Sequence, residues 1–266
     1  MNKILPRIAA FAVAALLLAG CASTADEQDE TKGWSAEKIY NEGKNEQTSH
    51  NWDRSTKLFE ALEARYPYGR FAQQALLEMA YNQYKNQDAQ PALASLDRFM
   101  KQYPAHPSMD YALYLKGLVN FNETQGFLSA LAKQDMSERD PKAARESFDS
   151  FKELVDRYPD SKYAEDARSR MAYLVGALAN HELFVAKYYY RRGAYLAAAN
   201  RGKGLVENFG NTKMVEPALG IMVRSYDKLG LTELRDDAKR VLLQNYPNTV
   251  VLQDSYWKTG SWWTLW

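Results

Sequence analysis

The sequence contains very little cysteine or histidine: one cysteine, Cys21, and three histidines in 266 residues. A single cysteine excludes a disulfide framework and a zinc site built from several thiolates within the chain. The histidines, His50, His106 and His181, lie more than fifty positions apart, so they form no local cluster of metal ligands. We therefore expect neither a metal nor a cofactor.

The chain also lacks an excess of either charge. It has 34 Lys and Arg residues against 33 Asp and Glu residues, whereas a protein that binds nucleic acid would show a clear basic excess. Hydrophobic residues make up 46% and charged residues 25%, which excludes a disordered or fibrous chain. The composition predicts a globular protein that does not bind nucleic acid.

No arrangement of catalytic residues is recognisable. A glycine-rich phosphate loop is missing, because Gly202-Lys203-Gly204 falls in a predicted helix and lacks the required spacing. A hydrolase would need a nucleophile with its base, a carboxylate pair in a cleft, or a metal. The acidic residues instead fall on predicted solvated helix faces. We expect a protein that is not an enzyme.

Residues 1–20 are predicted to be a signal peptide that is removed. A basic head with Lys3 and Arg7 precedes the apolar run from Ile8 to Ala19, which is too short to cross a bilayer as a helix. The run ends in Leu18-Ala19-Gly20-Cys21, which looks like a bacterial lipobox. Cys21 would then carry a diacylglycerol and an N-acyl chain. The alternative is an ordinary secretory signal with an incidental cysteine.

Residues 21–33 are predicted to be a lipidated, flexible tether, since they are acidic and have almost nothing apolar to bury. Two or three acyl chains hold a protein stably on a membrane. In lipoproteins of this type an Asp directly after the cysteine commonly retains the protein at the inner membrane. Ala22 stands there instead, so we expect the cell outer membrane, with the body on its periplasmic face.

Residues 34–248 repeat one pattern five times. An aromatic residue closes each copy, at Tyr66, Tyr103, Tyr158, Phe209 and Tyr246. A large apolar residue precedes it by four positions in every copy, and a small residue precedes it by eleven in four of five. These spacings fall on one face of a helix, and the proline that usually follows stops the helix. Each copy therefore ends in an amphipathic helix.

Each closing helix has a predicted partner upstream. The pairs are 35–48 with 51–66, 72–87 with 90–103, 108–121 with 141–158, 163–192 with 194–208, and 215–229 with 233–246. A loop from Asn122 to Arg139 is predicted inside the third pair. Units of this kind resemble tetratricopeptide repeats. The predicted fold is an all-α solenoid of five tetratricopeptide-like helix–turn–helix repeats.

Several stretches are more specific than a general repeat. They include Arg65-Tyr-Pro-Tyr-Gly69, Met109-Asp-Tyr-Ala-Leu-Tyr-Leu-Lys-Gly117, Ala144-Arg145, Val185-Ala-Lys-Tyr-Tyr189 and Asn200-Arg201. With the lipobox, they make the sequence similar to the BamD family (also called YfiO or ComL), lipoproteins of the β-barrel assembly machine. The resemblance implies a non-enzymatic scaffold in the Bam complex. Its implied partners are the periplasmic domains of BamA, accessory Bam lipoproteins and unfolded β-barrel precursors, which it helps recognise and deliver for insertion.

The resemblance also implies where the partners bind. In this family the C-terminal repeats contact BamA, and the matching surface comprises Tyr188, Tyr189, Arg192 and Arg201. Arg201 lies in a helix that is otherwise built of small residues, where an isolated guanidinium can meet a carboxylate of the partner.

The N-terminal repeats are the implied substrate groove. Barrel precursors carry a C-terminal signal of alternating aromatic residues, so their receptor needs aromatic slots. The candidates are Tyr40, Tyr68, Arg70, Phe71 and Tyr81. Pro67-Tyr68-Gly69 is a turn signal, which predicts that Tyr68 stands on a rim.

Residues 249–266 form a Trp-rich C-terminal segment with Trp257, Trp262, Trp263 and Trp266. Three interpretations stay open. The segment could cap the open end of the last repeat or anchor the protein onto another subunit or lipid headgroups. It could also act as an internal pseudo-substrate, since Lys258-x-Gly260-x-x-Trp263-x-Leu265 looks like a barrel signal.

One rival function also stays open. A solenoid lipoprotein of this kind could instead bind peptidoglycan or cell-division partners.

Overall fold

The computed structural model describes residues 30–130 and 141–258, and within these ranges every regular element is a helix. The helices are α1 (Ala36–Thr48), α2 (Trp52–Arg65), α3 (Arg70–Lys85), α4 (Ala89–Gln102), α5 (Met109–Ala130), α6 (Lys142–Arg157), α7 (Ala164–Arg191), α8 (Tyr195–Asn208), α9 (Val215–Lys228), α10 (Thr232–Asn245) and the short α11 (Asp254–Lys258). None of the helices in this described part of the chain combines the length and apolar character needed to span a membrane.

The helices pair and stack in chain order. From α1 to α10, each helix packs against the next one, so that five hairpins form one tetratricopeptide-like array. The prediction of an all-α fold with five repeats is confirmed. The apolar residues four positions before each closing aromatic are all fully buried; they are Leu62, Phe99, Leu154, Leu205 and Leu242.

Small residues set the distance between the two helices of a hairpin. In the first repeat Ser55 Oγ donates a hydrogen bond to the carbonyl oxygen of Gly43 at 2.8 Å. In the third, Ser147 Oγ donates to the carbonyl oxygen of Gly117 at 2.9 Å. Both serines occupy the position eleven residues before the closing aromatic, and both are completely buried. The repeated small residue thus places the second helix directly against the backbone of the first.

The tight turns share a backbone conformation that the repeat pattern did not reveal. His50, Gln87, Gly193 and Gly230 all have φ between 60° and 76°, and each lies sixteen residues before a closing aromatic. Left-handed backbone costs a residue with a Cβ roughly 1–2 kcal/mol. Glycine avoids this cost in the fourth and fifth repeats, whereas His50 and Gln87 are held there by the surrounding turn.

The predicted loop from Asn122 to Arg139 is wrong in its first half, because α5 continues to Ala130. No proline occurs between 122 and 130, and a single glycine inside a helix costs only about 1 kcal/mol relative to alanine. Nothing in the sequence therefore stops the helix at Phe121. The long helix of the fourth repeat is present: α7 has 28 residues and is about 42 Å long.

Two candidate binding grooves

An open groove of about 760 Å³ runs along α8, and we call it the α8 groove. One wall is a single face of α8 with small or polar side chains: Ala197, Asn200, Arg201, Gly204 and Asn208. Glu182 and Tyr189, two turns apart on α7, and Arg145 on α6 complete the lining together with Phe209. A Cβ added to Gly204 would meet no atom within 4 Å, so this wall is open to a neighbouring chain.

An ionic bridge joins three helices across the α8 groove. Glu182 accepts a hydrogen bond from Arg201 Nη1 on Oε2 at 2.9 Å and from Arg145 Nη2 on Oε1 at 3.1 Å. The side chain of Glu182 is 12% exposed, whereas that of Arg201 is 46% exposed. The interpretation of Arg201 as an isolated arginine is therefore wrong: its guanidinium is paired within the chain, and it still reaches solvent.

The other predicted BamA-contacting residues lie beside this bridge. Tyr189 lines the α8 groove, and the ring of Tyr188 meets it edge-on at 5.8 Å between centroids. Tyr188 is 41% exposed, and the guanidinium of Arg192 lies 5.9 Å from its ring centroid. The structure thus brings Tyr189 and Arg201 into one groove, whereas Tyr188 and Arg192 do not line it.

A second groove, of about 480 Å³, lies between the first three repeats, and we call it the N-terminal groove. Its aromatic lining consists of Tyr40, Trp52, Tyr81 and Tyr111, and its polar lining includes Lys44, Gln47, Gln74, Glu78, His106 and Ser108. The rings of Trp52 and Tyr81 meet edge-on at 6.0 Å. Aromatic walls with polar groups between them suit an extended peptide.

Glu78 is the polar centre of the N-terminal groove. Its carboxylate accepts hydrogen bonds from Tyr40 Oη at 3.3 Å, Lys44 Nζ at 3.0 Å and Gln47 Nε2 at 2.9 Å. Burial, followed by the negative charge of Glu78, raises the pKa of Tyr40 to about 12. The Tyr40 hydroxyl therefore remains a neutral donor, and one carboxylate orders three side chains of α1.

The structure divides the five residues predicted for the substrate groove. Tyr40 and Tyr81 line it, whereas Tyr68, Arg70 and Phe71 do not. Phe71 packs behind Tyr40 at 5.5 Å between ring centroids, and the guanidinium of Arg70 covers Phe71 at 4.7 Å. Tyr68 is 91% exposed, because the turn before α3, in which Gly69 has φ 97°, directs it into solvent.

Sequence reasoning missed Trp52 and Glu78 as groove residues. A signal for Glu78 was present, since Gln74, Glu78 and Tyr81 recur at the spacing of one helix face. Glu182 was missed in the same way, although it precedes Tyr189 by seven residues.

Of the four candidate tryptophans, only Trp257 lies within the described residues. Cys21 lies outside them. Trp257 is 3% exposed, and its Nε1 donates a hydrogen bond to the carbonyl oxygen of Val251 at 2.6 Å. The guanidinium of Arg224 on α9 lies 5.6 Å from its ring. Trp262, Trp263 and Trp266 lie outside the described residues.

These stacked hairpins and their two open grooves define a helical-repeat protein of the tetratricopeptide type. Residues 33–242 match the YfiO family of outer membrane lipoproteins, and the chain belongs to this family. It is 48% identical over 256 residues to the outer membrane protein assembly factor BamD of Neisseria meningitidis serogroup B, covering 94% of this chain and 96% of that protein.

More distant relatives carry the same name. The chain is 36% identical to the BamD of Xylella fastidiosa strain 9a5c, over 93% of this chain and 82% of that protein. It is 35% identical to the BamD of Vibrio cholerae, over 86% of this chain and 94% of that protein.

Proposed function

We propose that this protein is a non-enzymatic scaffold for assembly of outer-membrane β-barrel proteins. A lipid on Cys21 tethers it to the periplasmic face of the outer membrane. The α8 groove receives a periplasmic domain of BamA, and the N-terminal groove receives a segment of an unfolded barrel precursor. Membership of the YfiO family supports this proposal, and so does the similarity to proteins named outer membrane protein assembly factor BamD.

The α8 groove is the single observation that carries the proposal. The face of α8 that lines the groove carries small side chains, since Ala197 and Gly204 have at most a methyl group. The backbone of a partner can therefore approach α8 closely. Arg201 lies on the same wall, and its hydrogen bond to Glu182 uses only Nη1. The remaining N–H groups of this guanidinium are available for a carboxylate of BamA, which is a strong charge-assisted geometry.

Gly204→Gln tests the docking of BamA without disturbing the fold. We expect the new side chain to occupy the wall and to reduce co-purification of BamA at least tenfold. The folded protein should become slightly more stable, since a glycine inside a helix costs up to about 1 kcal/mol. Arg201→Glu should also weaken co-purification while helicity measured by circular dichroism stays intact.

Gly176→Gln is the matched control, because Gly176 lies on α7 and a Cβ there also meets nothing within 4 Å. This variant should recover as much BamA as the native protein. Full recovery of BamA with both Gly204→Gln and Arg201→Glu would contradict docking in the α8 groove. Recovery of glycan or division proteins instead would favour the rival function.

The N-terminal groove supports the second half of the proposal. Its rings can take aromatic side chains of an extended segment, and the Gln47–Glu78–Asn82 network holds its floor. Gln47 Nε2 donates to Asn82 Oδ1 at 2.7 Å, and Asn82 Nδ2 donates to Ser55 Oγ at 2.8 Å. Because Asn82 and Ser55 are fully buried, these hydrogen bonds hold the Gln47 side chain in a fixed position in the groove.

A photocrosslinking amino acid at position 81 should capture barrel precursors in living cells. The same group at position 68 is the control, since both positions hold tyrosine and only Tyr81 lines the N-terminal groove. We expect several times more precursor adduct at 81 than at 68, measured by immunoblotting of the adducts. Equal capture at both positions, or none at 81, would remove this groove from substrate binding.

A further inference from the structure

Charge is layered by depth in the α8 groove. The carboxylate of Glu182 lies at the bottom, with its side chain 12% exposed, and the two guanidiniums lie above it, 54% exposed at Arg145 and 46% at Arg201. Together they leave one net positive charge facing the opening. If the carboxylate of Glu182 only neutralised the two arginines, it would compete with an acidic side chain of the partner for their guanidiniums. Its position beneath them therefore indicates a different role.

Glu182 is itself fixed at both oxygens. Oε1 accepts from Arg145 on α6, and Oε2 accepts from Arg201 on α8. The carboxylate therefore cannot rotate without breaking one of two charge-assisted hydrogen bonds. It is a rigid point between three helices, set by the packing of the third repeat against the fourth.

Arg201 has little else to hold it. One turn away from Arg201 on either side, the groove wall consists of Ala197 and Gly204, which offer no side chain beyond a methyl group against which the arginine stem could pack. A long side chain in such surroundings samples many rotamers, and ordering it on binding lowers the affinity.

We propose that Glu182 is a positioning residue. It holds the guanidinium of Arg201 at the opening of the α8 groove. The guanidinium is then already oriented when an acidic side chain of the partner binds to it. This inference rests on the proposed docking of BamA through Arg201. It makes an unusual prediction, because removing a negative charge from a groove that binds an acidic partner should then weaken binding.

The test is a double-mutant cycle on the full-length lipoprotein in detergent, with the periplasmic fragment of BamA as the ligand. We expect Glu182→Gln to raise the dissociation constant roughly three- to tenfold. In the Arg201→Gln background the same change should have less than a twofold effect. NMR of the arginine Nε–Hε groups should show that Arg201 is ordered in the native protein and averaged in Glu182→Gln.

Glu63→Gln is the control for charge, because Glu63 pairs with Arg98 at 2.8 Å between α2 and α4, outside the α8 groove. It should leave the affinity unchanged. Unchanged or tighter binding by Glu182→Gln would overturn the inference, as would an equal loss in both backgrounds, which identifies a purely structural bridge. If Arg201→Gln alone left the affinity intact, the proposed BamA contact would fail as well, and the two failures are thus distinguished.

Discussion

Gly117→Ala should lower the free energy of unfolding by about 3 kcal/mol, at the upper end of the usual cost of overpacking a core. The added Cβ would lie 2.4 Å from Cε1 of Phe151, well inside van der Waals contact. Phe151 is fully buried, and Ser147 ties the same turn of α6 to the carbonyl oxygen of Gly117. The ring cannot retreat without moving the helix, so α5 and α6 must separate. Urea denaturation followed by circular dichroism measures the change.

Gly176→Ala is the matched control, since both glycines are helical and only Gly117 faces a ring. There the added methyl meets nothing within 4 Å, so helix propensity alone should stabilise the protein, by up to about 1 kcal/mol. If the Gly117→Ala variant were as stable as the native protein, the prediction would be wrong, because the α5–α6 interface would then accommodate the added methyl group without a loss of stability. Phe151→Leu should relieve part of the cost in a double variant, because residues in contact do not act additively.

The repeat was predictable because its signals are local. The spacings of 4, 7 and 11 that mark a buried face can be recognised within the sequence of a single helix. The prolines that end α2, α4 and α6 can be recognised in the same way. The close approach of Gly117 to Phe151 is different, since the two residues lie on separate helices and the pattern marks only one of them. The end of α5 was misjudged for a related reason: nothing local stops that helix.

The two candidate grooves were predictable only in part, because each is assembled from several repeats. Tyr40 and Tyr81 were found as aromatic residues on first helices. Tyr68 carries the same side chain, but the backbone at Gly69 turns it outward. Glu182 pairs with Arg145 and Arg201, which are 37 and 19 residues away along the chain, and no periodicity within one helix connects them.

Trp257→Ala should also have a large effect, about 3–5 kcal/mol by comparison with other truncations of buried tryptophan. The indole fills a site against α9, where a Cβ on Gly220 would lie 3.3 Å from Cζ2 of Trp257 and 2.8 Å from Cγ2 of Val251. Val251 also receives the indole hydrogen bond on its carbonyl oxygen. Losing the ring would open a cavity beside α9 and expose the end of the last repeat.

The matched control is a chain that ends after Lys258, which removes three tryptophans and keeps Trp257. If the segment acts as a cap through Trp257, this truncation should change the melting temperature by less than 2–3 °C, whereas Trp257→Ala should lower it by roughly 6–20 °C on the usual scale for a chain of this size. Equal losses would move the cap beyond residue 258. Tighter binding of a precursor peptide by the truncated chain alone would instead favour the pseudo-substrate, because only that role lets the removed residues compete for the N-terminal groove. The thermal shift and the peptide affinity therefore distinguish two roles of the C-terminal segment: a cap that covers the last repeat and a pseudo-substrate that occupies the N-terminal groove.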